Sequence, residues 1–563
     1  MSGVSAGPGG GAVAVPAPTE TTGFGTLIVP LLIGQALVTA DFVCMNPMAG
    51  EIAKSLNSSL TGLQGTIALS YLVMGALIIP ASRIGARRGS ARMLAVGALV
   101  MAFGDAIAAV SPKLPVLFVG KALIAAAGAA LIVPAVFSLA THHYGGGTRK
   151  RAFALINAQL GTGAIAGALL GGWLATKTSW RWWFVIEIVI ALVLFVLMRP
   201  HFEEPRHPKV AEFDIAGSIV SFAGMALVVL GLVQASAFGF VNARQDFHLF
   251  GVKIFSKGGL SPTLPIIALG LLTLVLFGVI ERRRAARGKD SLVDISVLKL
   301  PAIRNGTAAL SLNFAIMGAG LYLIPVFGVT TLGWTATKAG LATAVSAIGL
   351  IIGCLLVSRA LAAERLQPKT VALVGFPLIV VVSCALALAF SPSSGLALIS
   401  SLAFVQGASV GFGMVSLSVI VQNAAPPDRT DDVSGLSREA SYVFQSIGVA
   451  LVGAVMIAVL VASLNSRINA SSALDPAQKQ AIVQKLDKNV EVSVVTDAQA
   501  RAAAQKNGVE QAAIGEVVKI NGSSRVKALT VAALVVAVLA LIALVFTLLI
   551  PAPATRAEPR ASD

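Results

Sequence analysis

Fourteen apolar stretches alternate with short polar segments along the chain: 25–45, 62–82, 94–111, 115–140, 153–175, 182–199, 214–234, 263–281, 304–329, 339–361, 371–391, 396–421, 438–463 and 528–549. About 20 apolar residues in helical form cross some 30 Å of hydrocarbon. A helix satisfies its own backbone hydrogen bonds there, which lipid cannot do for it. The pattern therefore predicts an all-α polytopic membrane protein with 14 transmembrane helices.

The polar intervals are short except one, 464–527. In it, Asp475-Pro476 has the chemistry of an N-cap and first helical position, leading into QKQAIVQKLDK. Thr496 opens a second run that Asn507-Gly508 would close. We expect a small extracellular helical cap between helices 13 and 14, with a solvated connector as the alternative. Residues 1–22 are Gly, Ala, Pro and Thr with Glu20 as the single charge, the composition of a disordered tail. No Lys or Arg precedes the first apolar stretch, so a cleaved signal peptide is not expected. Residues 550–563 form a second tail.

A weak internal repeat divides the rest. SRIGARRGSARML follows the second stretch and SRALAAERLQPKTV the tenth, each a basic hairpin leading to a glycine, Gly97 and Gly375. Two six-helix bundles are expected, 25–199 and 304–549, with two inserted linker helices in 214–281. Repeated halves around a midplane site are the architecture of secondary transporters.

Composition agrees. The 563 residues are 56% hydrophobic and 12% charged, with a mean hydropathy of +0.85. A soluble chain carries about 25% charged residues. A soluble enzyme, a secreted disulfide scaffold and a disordered protein are excluded. Cys44, Cys354 and Cys384 each lie in an apolar stretch without a Cys-x-x-Cys pair, and the five histidines lie outside the stretches, so neither disulfide, metal nor cofactor is implied. No glycine-lysine phosphate loop occurs, so ATP is not the energy source.

The net charge of +16 would suit nucleic acid if it were spread over a surface. Instead, alternate connections on one side carry about three times as many Lys and Arg as those opposite, the 282–304 segment most of all. That bias predicts a multi-pass protein of a plasma membrane with both termini cytoplasmic, and no nucleic-acid partner.

Five stretches resemble the major facilitator superfamily, specifically its fourteen-helix drug:proton antiporter branch. SRIGARRGSARML is similar to the family's G-R-L-G-D-R-x-G-R-R, matching at Arg83, Gly85, Arg87 and Gly89, with Ala86 in place of the aspartate. DFVCMNPMAGEI keeps Asp41, Asn46 and Ile52 of the first-helix motif. GAIAGALLGG resembles the antiporter signature, keeping Gly163, Gly167, Gly171 and Gly172, with Ala168 for its proline. SWRWWFVIE has Glu187 for an asparagine, and PDRTDDVSGL resembles the segment before helix 13. In the fourth helix, Ala122 stands where the family has its arginine, with Lys121 beside it. The resemblance implies alternating access in a bacterial cell membrane, the basic loop serving as a gate.

Charges within apolar stretches cost roughly 2.5–3.5 kcal/mol each at mid-membrane, so they mark candidate sites. Four stand out: Asp41, Asp105, Lys121 and Glu187. Counted from the expected helix ends they share one depth, about four to six residues from the external side. We expect an Asp41–Lys121 ion pair with Asp105 or Glu187 as further titratable partners. Outward snorkelling of Lys121 and Glu187 is the alternative, as is a structural hydrogen bond for Asp105. Gly163, Gly167 and Gly171, four apart, fit a close helix seam.

Cavity candidates are Asn46, Tyr71, Met74, Asn157, Asn313, Met317 and Phe412. Met45, Phe314, Tyr322, Met414, Gln64, Gln159 and Gln406 are further ones. Flexible methionines and flat rings suit mixed apolar guests.

The function expected is multidrug efflux, and so antibiotic resistance: a monomer exporting amphipathic small molecules against protons. An exporter of lipid or cell-envelope precursors with altered proton coupling is the first alternative. A non-transporting scaffold using the extracellular cap is the second. No enzymatic residue set is evident.

Overall fold

The computed structural model describes residues 25–58, 60–144, 146–202, 215–249, 252–287, 295–426, 430–472, 475–476, 479–480, 496–506 and 511–551. The N-terminal tail 1–22 and residues 552–563 lie outside them.

Each apolar stretch falls on a helix. The first eight are α1 Ile28–Ser55, α2 Leu60–Arg88, α3 Ser90–Ala109, α4 Leu114–His143, α5 Gly146–Lys177, α6 Arg181–Met198, α7 Ile215–Phe238 and α8 Thr263–Ala286. After the basic segment come α9 Pro301–Thr330, α10 Ala336–Ala362, α11 Pro368–Ala389, α12 Leu396–Asn423 and α13 Thr430–Ala470. A short α14, Asp497–Lys506, precedes α15, Gln511–Leu548. Among the described residues 13 helices are long and apolar enough to cross a membrane, and α2 adds an apolar run at Gly62–Ile78. Large apolar side chains such as Leu272, Val275 and Leu388 face outward, the surface that lipid solvates.

The packing repeats. In the first half α1 lies against α5, α2 against α4, and α3 against both α4 and α6. In the second, α9 lies against α13, α10 against α12, and α11 against both α12 and α15. The halves meet where α2 packs on α13 and α5 on α10, two contacts that exchange under the same correspondence. The inserted α7 and α8 pack on each other, and α7 leans on α2 and α13 from outside.

Several boundaries differ from the hydropathy pattern. The α1 helix does not stop at 45 but continues through Pro47 to Ser55. Most of SRIGARRGSARML is helical, since α2 and α3 are parted only at Gly89, whose φ of 96° suits a residue without Cβ. The expected cap shrinks as well, because α13 runs to Ala470 and α15 already begins at Gln511. At 1.5 Å per residue these 41- and 38-residue helices reach about 60 Å, roughly twice the hydrocarbon thickness.

Helix continues there because an apolar face continues: Leu464, Ile468, Ile514 and Ile520 are all buried. Against this stalk sits α14, opened by a reciprocal cap. Gln499 N–H donates to Thr496 Oγ1 at 3.3 Å, and Thr496 N–H to Gln499 Oε1 at 2.9 Å. Arg525, buried, ties α14 to the bundle through Asp497 at 3.0 Å and Thr331 at 3.1 Å. Beside Asp475-Pro476, Lys479 N–H donates to Asp475 O at 2.9 Å. Residues 481–495 and Asn507-Gly508 lie outside the described residues.

One element was not expected in an all-α reading. Phe247–Leu249 pairs antiparallel with Val252–Phe255 between α7 and α8. Its aromatic and β-branched residues flank Gly251, a hairpin signal too short to register beside the helical stretches.

Candidate functional site

Lys121 lies in a seven-residue π-helical segment of α4, Val119–Ala125. A π segment widens the turn and re-aims side chains, and such segments recur at functional sites. Close approach to α3 fixes its position: a Cβ on Gly120 would stand 2.7 Å from the Gly104 carbonyl, and one on Gly104 2.6 Å from that of Gly120. Only glycine allows the two backbones so near. The next residue on α3, Asp105, is thereby held beside Lys121.

The four charges meet. The Lys121 ammonium pairs with Asp41 of α1 and stands 3.8 Å from both Asp105 of α3 and Glu187 of α6. All four are buried, and Phe184 closes the site with its ring 5.2 Å from the ammonium. The three carboxyl groups lie within 4.8 Å of one another, a spacing that suits a cation, and the lysine supplies it. Lys121 and Glu187 do not snorkel outward.

Their meeting does not rest on the equal depths counted from helix ends. Asp41 sits near the middle of α1, since that helix runs ten residues past the end of its apolar stretch. Two carboxylates at the cluster, Asp105 and Asp41, thus come from different heights along their own helices.

A cavity, part of it open to solvent, lies between the halves on the other side of α1. Thr39, Phe42 and Val43 of α1 line it, whereas Asp41 does not. Of the candidate residues, Tyr71, Met74 and Met317 line the cavity, with Phe314, Met414 and Gln406. Asn46, Asn157, Asn313 and Phe412 are outside the lining. Asn46 and Asn313 are buried in helix packing, Asn313 donating to Val410 O at 3.0 Å, and Asn157 is exposed, donating to Phe153 O at 2.9 Å. Met45 is buried, and Gln159 faces Thr162 within its own helix.

Gln64 and Tyr322 tie the halves together instead. Tyr322 O–H donates to Gln64 Oε1 at 3.1 Å, and Gln64 Nε2 donates to Val449 O at 2.9 Å. Thr337 of α10 bonds Gly172 O and Thr176 of α5 at 3.3 and 3.1 Å. In every helix concerned these contacts lie beyond the cavity-lining residues, away from the basic connections. On the basic side, Arg438 of α13 lies 3.7 Å over the Phe137 ring of α4.

The glycine signature sits between helices. Cβ atoms on Gly163 and Gly171 would press on Ala36 and Cys44 of α1, and one on Gly167 would stand 2.9 Å from Ala40 Cα, while Gly172 faces Ala336 of α10. Of the basic-loop residues, Gly85 packs beside Met93, Arg87 is exposed, and Gly89 makes the α2–α3 break. The Arg83 side chain is not among those described. Sequence reasoning missed the π segment, Gln445 and Tyr442 in the cavity wall, and the Arg438–Phe137 contact. The last three lie on faces that no periodicity distinguishes.

A family model described as Major Facilitator Superfamily matches residues 31–453. Among curated relatives, puromycin resistance protein pur8 of Streptomyces alboniger is 24% identical over 438 residues, covering 76% of this chain and 81% of its own. Quinolone resistance protein NorB of Staphylococcus aureus is 24% identical over 435 residues, covering 76% and 88%. Among solved structures, an inward-facing, unoccupied bacterial homologue of the human lysosomal transporter Spinster aligns with a TM-score of 0.57 at 12% identity, over 94% of this chain and 98% of that one. A peptide transporter POT in complex with sulfate aligns at 0.55 with 15% identity, over 89% and 98%. At these identities the structures establish the fold.

Proposed function

The chain belongs to the major facilitator superfamily of membrane transporters, and on that premise we propose that it exports amphipathic small molecules in exchange for protons by alternating access. One observation carries the reading. The helix α1 presents Phe42 and Val43 to a cavity shared by both halves and Asp41 to a sealed charge cluster. Substrate and proton then act on opposite faces of one helix.

A buried cluster of one ammonium and three carboxyl groups is electroneutral with two protons on it. Gain or loss of a further proton breaks that neutrality, and the resulting repulsion or attraction shifts α1 against α4. Glycines 163 and 167 let α1 slide along α5 as this happens. The drug-resistance relatives support a drug-like cargo. With the basic connections cytoplasmic, as is both termini's placement in a bacterial cell membrane, the Gln64 and Thr337 contacts form the external closure. One proton moving down about 100 mV supplies ~2.3 kcal/mol, enough for a substrate gradient of roughly 40-fold.

The test is exchange in proteoliposomes with an imposed proton gradient, comparing wild type with Asp41→Asn. The variant is expected to insert and fold but to lose gradient-driven export. Undiminished export by Asp41→Asn refutes the coupling role.

A further inference from the structure

We infer that the cavity is a site for uncharged aromatic compounds bearing a hydrogen-bond donor, which Gln445 accepts. The inference rests on the exporter reading and names its substrate class. Two aromatic pairs face the cavity, one from each half: Phe42 with Tyr71, ring centroids 4.6 Å apart, and Phe314 with Tyr442, 5.9 Å apart. Methionines fill the wall between them, a lining that adapts to flat guests of differing outline.

No Asp, Glu, Lys, Arg or His is among the described lining residues. Three charges on the lining helices lie outside the lining itself. Asp41 is held by Lys121, Arg438 lies over Phe137, and Glu439 is buried outside the lining. A localised cation or anion entering this space gives up its water without meeting a countercharge, which is strongly unfavourable. The polar capacity is of another kind. Gln445 is 3% exposed, lines the cavity, and its Oε1 has no hydrogen-bond partner among the described residues. A buried acceptor of this kind is satisfied by a donor brought into the cavity. Gln406, from the facing α12, lines the same space with a second neutral amide.

The experiment measures equilibrium binding to the purified protein in nanodiscs, with empty nanodiscs subtracted. Three probes are used: N-phenyl-1-naphthylamine, which is neutral with one N–H; its N-methyl derivative, which lacks the donor; and tetraphenylphosphonium, a permanent cation. The N-methyl compound is expected to bind about 2- to 12-fold more weakly than the parent, the worth of one hydrogen bond. Tetraphenylphosphonium should bind at least about 100-fold more weakly. Gln445→Leu should erase the difference between the two neutral probes while leaving the N-methyl compound's affinity within about 2-fold of wild type.

Gln445→Glu, of the same shape, should move preference toward tetraphenylphosphonium by supplying the missing charge. The wild-type series needs no variant, so it stands even if Gln445→Leu does not fold. Equal or tighter binding of tetraphenylphosphonium in wild type overturns the inference, as does a parent-to-N-methyl difference that survives Gln445→Leu. Flux is read separately. Loss of export with the binding order intact refutes the exporter reading alone, and export that prefers the cation refutes the neutral site alone.

Discussion

Replacing Lys121 by methionine keeps the length and apolar stem of the side chain and removes the ammonium that three buried carboxyl groups share. At 3.8 Å, with an effective dielectric of about 20, an ionised Asp105 or Glu187 gains roughly 4 kcal/mol from that ammonium. Asp41, in direct contact, gains at least as much. Removing one partner of a buried pair leaves an uncompensated charge and costs about 3–5 kcal/mol. Lys121→Met should therefore lower stability by that amount, and Asp41→Asn in the same chain should restore most of it, because the stranded charge is removed too. The expected coupling energy between the two positions is at least about 2 kcal/mol. Equilibrium unfolding in mixed micelles by SDS titration measures all four corners of the cycle. Additive effects of the two substitutions, within about 0.5 kcal/mol, would show that the cluster carries no shared charge and would refute the reasoning.

Two further outcomes follow from the helix contacts. Gly167→Val should press a side chain against the Ala40 backbone of α1, one residue from Asp41, so that exchange in proteoliposomes slows about tenfold or more for a stability loss of only about 1–3 kcal/mol; wild-type exchange rates would show that α1 does not work against this seam. Phe137→Leu should remove the ring beneath Arg438, a contact worth about 0.5–2 kcal/mol, and raise the population opened at the basic end by roughly 2- to 30-fold. Spin labels at the exposed His143 and Asn423 would report that as a longer distance, and Phe137→Tyr should keep the wild-type distribution.

The reach of the sequence differs from element to element. The membrane-crossing helices are legible because hydrocarbon demands long uncharged helices and leaves little freedom in the pattern. The charge cluster was legible for the same reason: lipid excludes charge so strongly that four retained charges stand out, and their mutual attraction draws them together. Orienting Asn157 or Asn313 was not possible, since in a membrane helix apolar side chains cover lipid-facing, packed and cavity faces alike. Periodicity there has no contrast to report.

In the hydropathy pattern the α13–α15 stalk resembles a loop with a cap, because hydropathy falls there, although helix continues wherever a narrower apolar face is covered. By itself, then, the sequence determined the crossings, the basic face and the identity of the charged residues, all of which follow from the solvent the chain meets. Tertiary structure decided which side of α1 each residue serves. That placement depends on the π turn at Lys121 and on backbones brought together at glycines, contacts between residues far apart in the chain that no local pattern encodes.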